Sequence, residues 1–430
     1  MLYLSRFGGV FIFLSFIFSI YSYFFDSKLK IISVVFIWFA SLILFFTIKS
    51  KKLILALLFF TIISFLYSYF NNFYIDIEKS FSVNLYLLTL LISVGFLKLI
   101  TAPRKDKEEL PRGKISFIKT YLGIHLFGSI INLSALLLVA DKMYKKSKLS
   151  PLQIIVLTRS FASDAYWSPF FVAFAAALTY APNLNTFSII SFGTVIAFIA
   201  FFITYLEVIK SKFDLDSFYG YPLSLQTLYL PLILAFFVLI THYLYEDFKI
   251  ILLISSFAFL LTIFILPIKK GLKNSLKILK FHIIDELPKM KSEISLFLVA
   301  GLFGIMAGSV LLGLNFNLPF EVFDYKVAAV TLLIFIILAF LGIHPIISIS
   351  ILGDFFVNAN HTLLAMTFLM AWATTVSTSP ISGLNLTMSA RYSCNPKEIF
   401  KLNIFYAIKM YIVCVILLFF MSKFLDIYNI

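Results

Sequence analysis

Apolar residues run along this chain in long blocks, not in alternation. Blocks lie near 8–25, 30–48, 53–72, 82–101, 117–140, 186–208, 225–245, 247–267, 293–315, 325–353 and 402–424. Each is long enough to cross about 30 Å of hydrocarbon as a helix rising 1.5 Å per residue. Continuous runs of this kind are unlike the period-two pattern of an outer-membrane barrel. Two further stretches, 151–181 and 361–392, are apolar but carry hydroxyls and a proline. The pattern predicts an all-α polytopic membrane protein with about 11–14 transmembrane segments.

The loops between these blocks are short and leave no room for a separate soluble catalytic domain. The longest, KKGLKNSLKILKFHIIDELPKMKSE (269–293), reads as an amphipathic helix on the cytoplasmic surface. Lys49, Lys51 and Lys52, the stretch 101–114 and the 269–293 loop are basic, whereas 71–80 and 315–324 are poor in lysine. By the positive-inside rule the basic loops and the N-terminus face the cytoplasm. One loop resists: DKMYKKSK (141–148) is basic, yet lies outside if 117–140 is a simple span, so 114–143 is alternatively broken or re-entrant. The first apolar block lacks a small-residue cleavage site and is expected to be a retained helix.

Composition sharpens the class. Of 430 residues 61% are hydrophobic and 13% charged, against about 25% charged in a soluble domain. The net charge of +14 fits lysine-rich cytoplasmic loops better than a nucleic-acid surface, because no soluble basic domain exists to grip a duplex. Cys394 and Cys414 form no CxxC or Cys/His cluster, so neither a structural metal nor a disulfide framework is expected. No GxxxxGK[ST], HExxH or GxSxG pattern occurs, which argues against direct ATP use and against those enzyme classes. The chain is therefore expected not to be an enzyme and to need no cofactor beyond a bound Na⁺ or H⁺.

The chain also repeats itself. LGIH occurs at Leu122–His125 and at Leu341–His344, each followed by a serine (Ser129, Ser348) and an aspartate ending the apolar run (Asp141, Asp354). Downstream of each copy comes a Ser-Pro segment, TRSFASDAYWSPFF (158–171) and ATTVSTSPISG (373–383). Duplicated halves with breaks at matching places point to a transporter site near the bilayer midplane. The expected organisation is N-terminal scaffold helices (1–101), a first repeat core (102–222), middle helices with the basic loop (223–292) and a second core (293–430). The halves are expected to be inverted repeats.

Proline inside a membrane helix frees backbone groups, which must then face protein or a water-filled cavity. Hydroxyls around the break can re-satisfy them, and half-helix ends can meet an ion. In the second segment Ser382, Asn385 and Ser389 share a face, and Thr374 and Thr378 form a stripe. In the first, Ser160, Asp164 and Ser168 share a face, with Arg159 close by. Asp164 and Thr375 both lie five residues before their proline. A carboxylate within a membrane segment is a functional candidate by default, so Asp164 is expected to couple transport to H⁺ or Na⁺; a structural pair with Arg159 is the alternative. His344 and Asp354 are further coupling candidates, His125 a weaker one. Plain helix packing also explains Ser and Thr residues, and Arg391 reads as a snorkelling interfacial cation.

Two halves, each with a Ser/Thr-Pro break, resemble the ion transporter superfamily of dicarboxylate, citrate, arsenite and Na⁺/H⁺ carriers. The likeness rests on 158–171, 373–385 and the LGIH blocks. It implies two hairpins holding substrate and ion between the halves, lined here by Ser168, Pro169, Ser377, Ser379, Pro380 and Asn385. Thr375 and Ser382 belong to the same cluster, and Arg159 would meet an anionic group. The resulting expectation is an ion-coupled secondary carrier of a small anionic solute, an organic acid or oxyanion, in the cytoplasmic (inner) membrane of a bacterium. Its partners would be that solute and the lipid bilayer, with no nucleic acid; a homodimer is compatible. The rival reading is a membrane-embedded flippase or enzyme acting on a polyprenyl-linked substrate.

Overall fold

A computed structural model describes residues 2–48, 51–101, 110–221, 229–316, 318–356 and 358–427, without the side chains of Leu2, Pro231 and Asp354. Those residues form an all-α polytopic membrane protein with nineteen α-helices and no strand. Numbered along the chain, the first five are α1 Leu2–Phe24, α2 Lys30–Phe45, α3 Lys52–Phe70, α4 Ile77–Ser82 and α5 Leu85–Thr101. The next five are α6 Gly113–Ile131, α7 Leu133–Lys146, α8 Pro151–Asp164, α9 Val172–Tyr180 and α10 Thr186–Lys210. Then come α11 Tyr229–Leu244, α12 Ile250–Lys270, α13 Leu272–Phe281 and α14 Lys291–Gly313. The last five are α15 Tyr325–Leu341, α16 Pro345–Leu352, α17 His361–Val376, α18 Gly383–Tyr392 and α19 Pro396–Phe424. Among the described residues, eight helical stretches are long and apolar enough to cross a membrane.

The chain divides into two compact units. One comprises 1–102, 230–318 and 349–355, the other 103–229, 319–348 and 356–430. The expected block 293–430 is thus divided: α14 belongs with the N-terminal and middle helices. Serine and threonine hydroxyls tie that first unit together across helices, as Ser19 to Thr89 and Ser41 to Ser295, each at 2.7 Å. The Asn84 amide adds a bond to the Phe297 carbonyl at 2.7 Å. Away from these seams, large apolar side chains such as Phe59 and Phe70 stand exposed, as a lipid-facing surface allows.

Apart from residues 349–352 of α16, which fall in the first unit, the second unit carries two runs of helices in the same order: a helix, a shorter helix, a broken pair and a long final helix. The runs are α6 to α10 and α15 to α19. Both long helices start the same way, because Asn185 and Asn395 cap α10 and α19 with their side-chain oxygens. Two expected single spans are in fact interrupted. The span 117–140 breaks at Asn132, whose φ of +51° asparagine tolerates better than most residues. The span 325–353 stops at Gly342, with φ +113°, and restarts at Pro345, which has no N–H to continue the helix. The two LGIH copies consequently occupy different places: the first lies inside α6, the second at the end of α15 and across the break.

Close packing in the first unit depends on Gly304, where an added Cβ would lie 2.4 Å from the Ser350 carbonyl oxygen. Gly304→Ala is expected to destabilise by about 1–3 kcal/mol through overpacking. Gly383→Ala, where a Cβ meets nothing within 4 Å, should change stability far less. Thermal unfolding of the two purified variants checks the contrast.

Candidate functional site

The two Ser-Pro segments fold alike at the level of the backbone. Helix α8 ends at Asp164 and α9 begins at Val172; α17 ends at Val376 and α18 begins at Gly383. The Ser168 N–H bonds the Asp164 carbonyl at 3.0 Å, and the Ser379 N–H bonds the Thr375 carbonyl at 2.7 Å. Three residues on, Phe171 N–H reaches Ser168 O at 3.1 Å and Ser382 N–H reaches Ser379 O at 3.0 Å. These paired bonds make Asp164 and Thr375 structural counterparts, as their spacing to proline suggests.

The hydroxyls mostly serve the breaks themselves. Ser168 donates to the Ser129 carbonyl on α6. Ser379 donates to the Ala339 carbonyl on α15 at 2.7 Å. Ser382 donates to Val376 O at 2.7 Å and caps α18 by accepting from the Asn385 N–H. Thr375 and Thr378 bond back to carbonyls one turn earlier, and Ser377 lies 3.3 Å from the Thr378 hydroxyl. Buried Asn385 donates to both Ser377 O and Ser379 O, at 3.2 and 2.9 Å. Asn132 does the equivalent work in the first half, donating to Phe170 O at 3.1 Å. Among the described residues, both amides keep a buried oxygen without a donor. Hydroxyl protons are therefore spent on carbonyls, while Pro169 and Pro380 supply the missing donors that open each helix.

Asp164 breaks the symmetry between the halves. Its side chain is 0% exposed, Oδ1 lies 2.7 Å from His125 Nδ1, and no other donor reaches either carboxyl oxygen among the described residues. A Cβ at Gly128 would fall 2.1 Å from Oδ2 and 3.4 Å from Phe161 Cδ2, so glycine on α6 makes the room this carboxyl occupies. Trp167 donates its indole N–H to His125 Nε2 at 3.2 Å, which leaves the proton of a neutral imidazole on Nδ1. Ser163 Oγ also lies 2.8 Å from Nδ1, but its own proton goes to Ser160 O at 2.7 Å. Serine and aspartate thus meet the same ring nitrogen, unlike a nucleophile–base relay, which uses one nitrogen for each.

The alternative Asp164–Arg159 pair does not form. Buried Arg159 instead donates to Glu207 Oε2 at 2.6 Å, Asn403 Oδ1 at 2.9 Å and Leu402 O at 2.9 Å, with its guanidinium 4.2 Å from the Tyr406 ring centroid. Glu207 also binds Lys409 at 2.5 Å. Asn403 does more: its amide nitrogen reaches Thr158 Oγ1 on α8 at 3.2 Å and Ser377 O in the second break at 3.0 Å. A second link joins the first break to α17, with the Tyr166 and Thr374 hydroxyls 3.2 Å apart. Glu207, Asn403, Gly128, Tyr166 and Trp167 were not singled out from the sequence. Glu207 and Asn403 carried the available signal, as polar residues within apolar runs.

Other candidates lie elsewhere. His344 accepts the Ile346 N–H at 3.2 Å at the start of α16, its ring edge-on to Trp372 with centroids 5.1 Å apart. The Asp354 side chain lies outside the described residues. Arg391 is not a free snorkelling cation: it holds both Asp141 oxygens, at 2.9 and 2.7 Å, with Tyr392 adding a third bond at 2.7 Å. Among the described residues no cluster of three His, Cys, Asp or Glu side chains is placed to hold a metal ion. Compared with known proteins, the sequence matches no family model and no curated chain.

Arg159 is buried and Glu207 about a quarter exposed, so removing the carboxylate should be costly. Glu207→Leu strands the Arg159 charge and is expected to destabilise by about 3–5 kcal/mol. Adding Arg159→Leu in that background should recover part of the loss, as read by thermal unfolding of the single and double variants.

Proposed function

We propose that this chain is an ion-coupled secondary carrier of a small anionic solute, working by alternating access in the cytoplasmic (inner) membrane of a bacterium. One observation carries the reading: two matching Ser-Pro breaks are linked within one unit, and only one of them ends in a buried carboxyl. Broken helices whose freed backbone is cradled by protein suit a binding site within a bilayer. Asp164, with His125 against one oxygen and Gly128 against the other, is the coupling group. A proton is the simplest ion for it, since a Na⁺ ion would need several oxygen ligands, whereas His125 is the one polar group against the carboxyl among the described residues.

The anionic class of the cargo comes from the likeness to the ion transporter superfamily. Arg159 does not suit the role of anion receptor, because Glu207 already neutralises it. Ser168, Ser379, Asn385 and their prolines shape the site, and the unpaired Asn132 and Asn385 oxygens are the acceptors it offers. Ser377 contributes its carbonyl to Asn403, so it belongs to the frame that holds the second break.

Uptake of labelled organic acids into proteoliposomes, with an imposed proton or sodium gradient, tests the reading. Asp164→Asn should abolish gradient-driven accumulation while the protein remains folded, and Ser379→Ala should slow it. Uptake that ignores both gradients, or that survives Asp164→Asn, sinks the coupling role. Movement of a fluorescent polyprenyl-linked lipid between leaflets in the same vesicles would favour the flippase reading instead.

A further inference from the structure

We propose that α13 and the turn before it form a binding surface for the headgroups of anionic phospholipids at the membrane boundary. Helix α12 is one of the stretches able to cross a membrane, and it ends at Lys270. Gly271 then takes φ +77°, which stops the helix and turns the chain into α13. The main neighbours of α13 among the described residues are α12 and the His282–Glu286 segment. Leu272 is 68% and Leu276 is 60% exposed, Leu279 is half-buried, and Phe264 and Ile268 near the end of α12 are 67% and 83% exposed.

Leu272, Leu276 and Leu279 fall on one side of α13, at i, i+4 and i+7. Lys273, Lys277 and Lys280 follow one position behind, as a parallel stripe. All three lysines are exposed, and among the described residues none pairs with a carboxylate. Leucines continuous with the end of a spanning helix can enter the acyl boundary, while lysines beside them reach the phosphate level. A second copy of this chain fits less well, since a two-fold contact would set two lysine stripes against each other. The surface is independent of the carrier reading, because it shares no residue with the two breaks.

The test uses the full chain in lipid nanodiscs of phosphatidylcholine with increasing phosphatidylglycerol. Native mass spectrometry counts the phosphatidylglycerol retained by wild type and by Lys273→Gln/Lys277→Gln/Lys280→Gln. The triple variant should bind it about 100-fold more weakly, from roughly a fivefold effect per lysine. Inorganic phosphate should not displace it. In a second arm, Leu276→Trp is compared with wild type in nanodiscs containing brominated lipid. The introduced indole should be quenched. Equal retention in the triple variant overturns the proposal. So does an unquenched indole accompanied by cross-links between copies, which would assign the face to a second chain.

Discussion

A backbone carbonyl released inside a bilayer has no water to turn to, and much of the second unit follows from that constraint. Two prolines release such groups at corresponding places. Ser382 takes the Val376 carbonyl that Pro380 frees, and other hydroxyls and amides hold helix-end and break carbonyls: Ser168 on α6, Ser379 on α15, Asn132 on Phe170, and Asn385 on two carbonyls of its own break. Each such bond also fixes where a helix end lies. Satisfying the backbone and positioning the site are one and the same act here.

Against this shared frame the two breaks differ most in charge at one pair of matched positions, Asp164 and Thr375. Thr375 bonds back to Ala371 within its own helix and asks nothing of its neighbours. Asp164, its counterpart, cannot do so. It requires the bare face of Gly128 and the ring of His125, and that ring is oriented in turn by Trp167. Of the two matched positions, only the one in the first break carries a charge.

Much of this was legible in the sequence, for physical reasons. Apolar length identifies spanning helices because a bilayer demands it, and proline among hydroxyls identifies breaks because freed groups need partners. The i−5 spacing of Asp164 and Thr375 from proline was enough to pair them. Less legible was anything set by a distant partner. Asp164 and Arg159 are close in sequence, yet they separate to His125 and Glu207, choices made by helix packing. LGIH misled in register, because Pro345 ends a helix at a point where Leu126 lets the other run on. A break within 114–143 was one alternative, yet the positive backbone φ that places it at Asn132, and the one that ends α15 at Gly342, appear only once the helices are built.

Asn403 has a wider consequence. Its single amide group grips α8 through Thr158, the second break through the Ser377 carbonyl, and the Arg159 guanidinium that is pinned to α10 by Glu207. Four elements from opposite ends of the sequence thereby share one fastening. Any rearrangement that opens one break while leaving the other at rest must first tear this knot; a rearrangement that carries both breaks together leaves it tied. These bonds favour motions that keep the two breaks together.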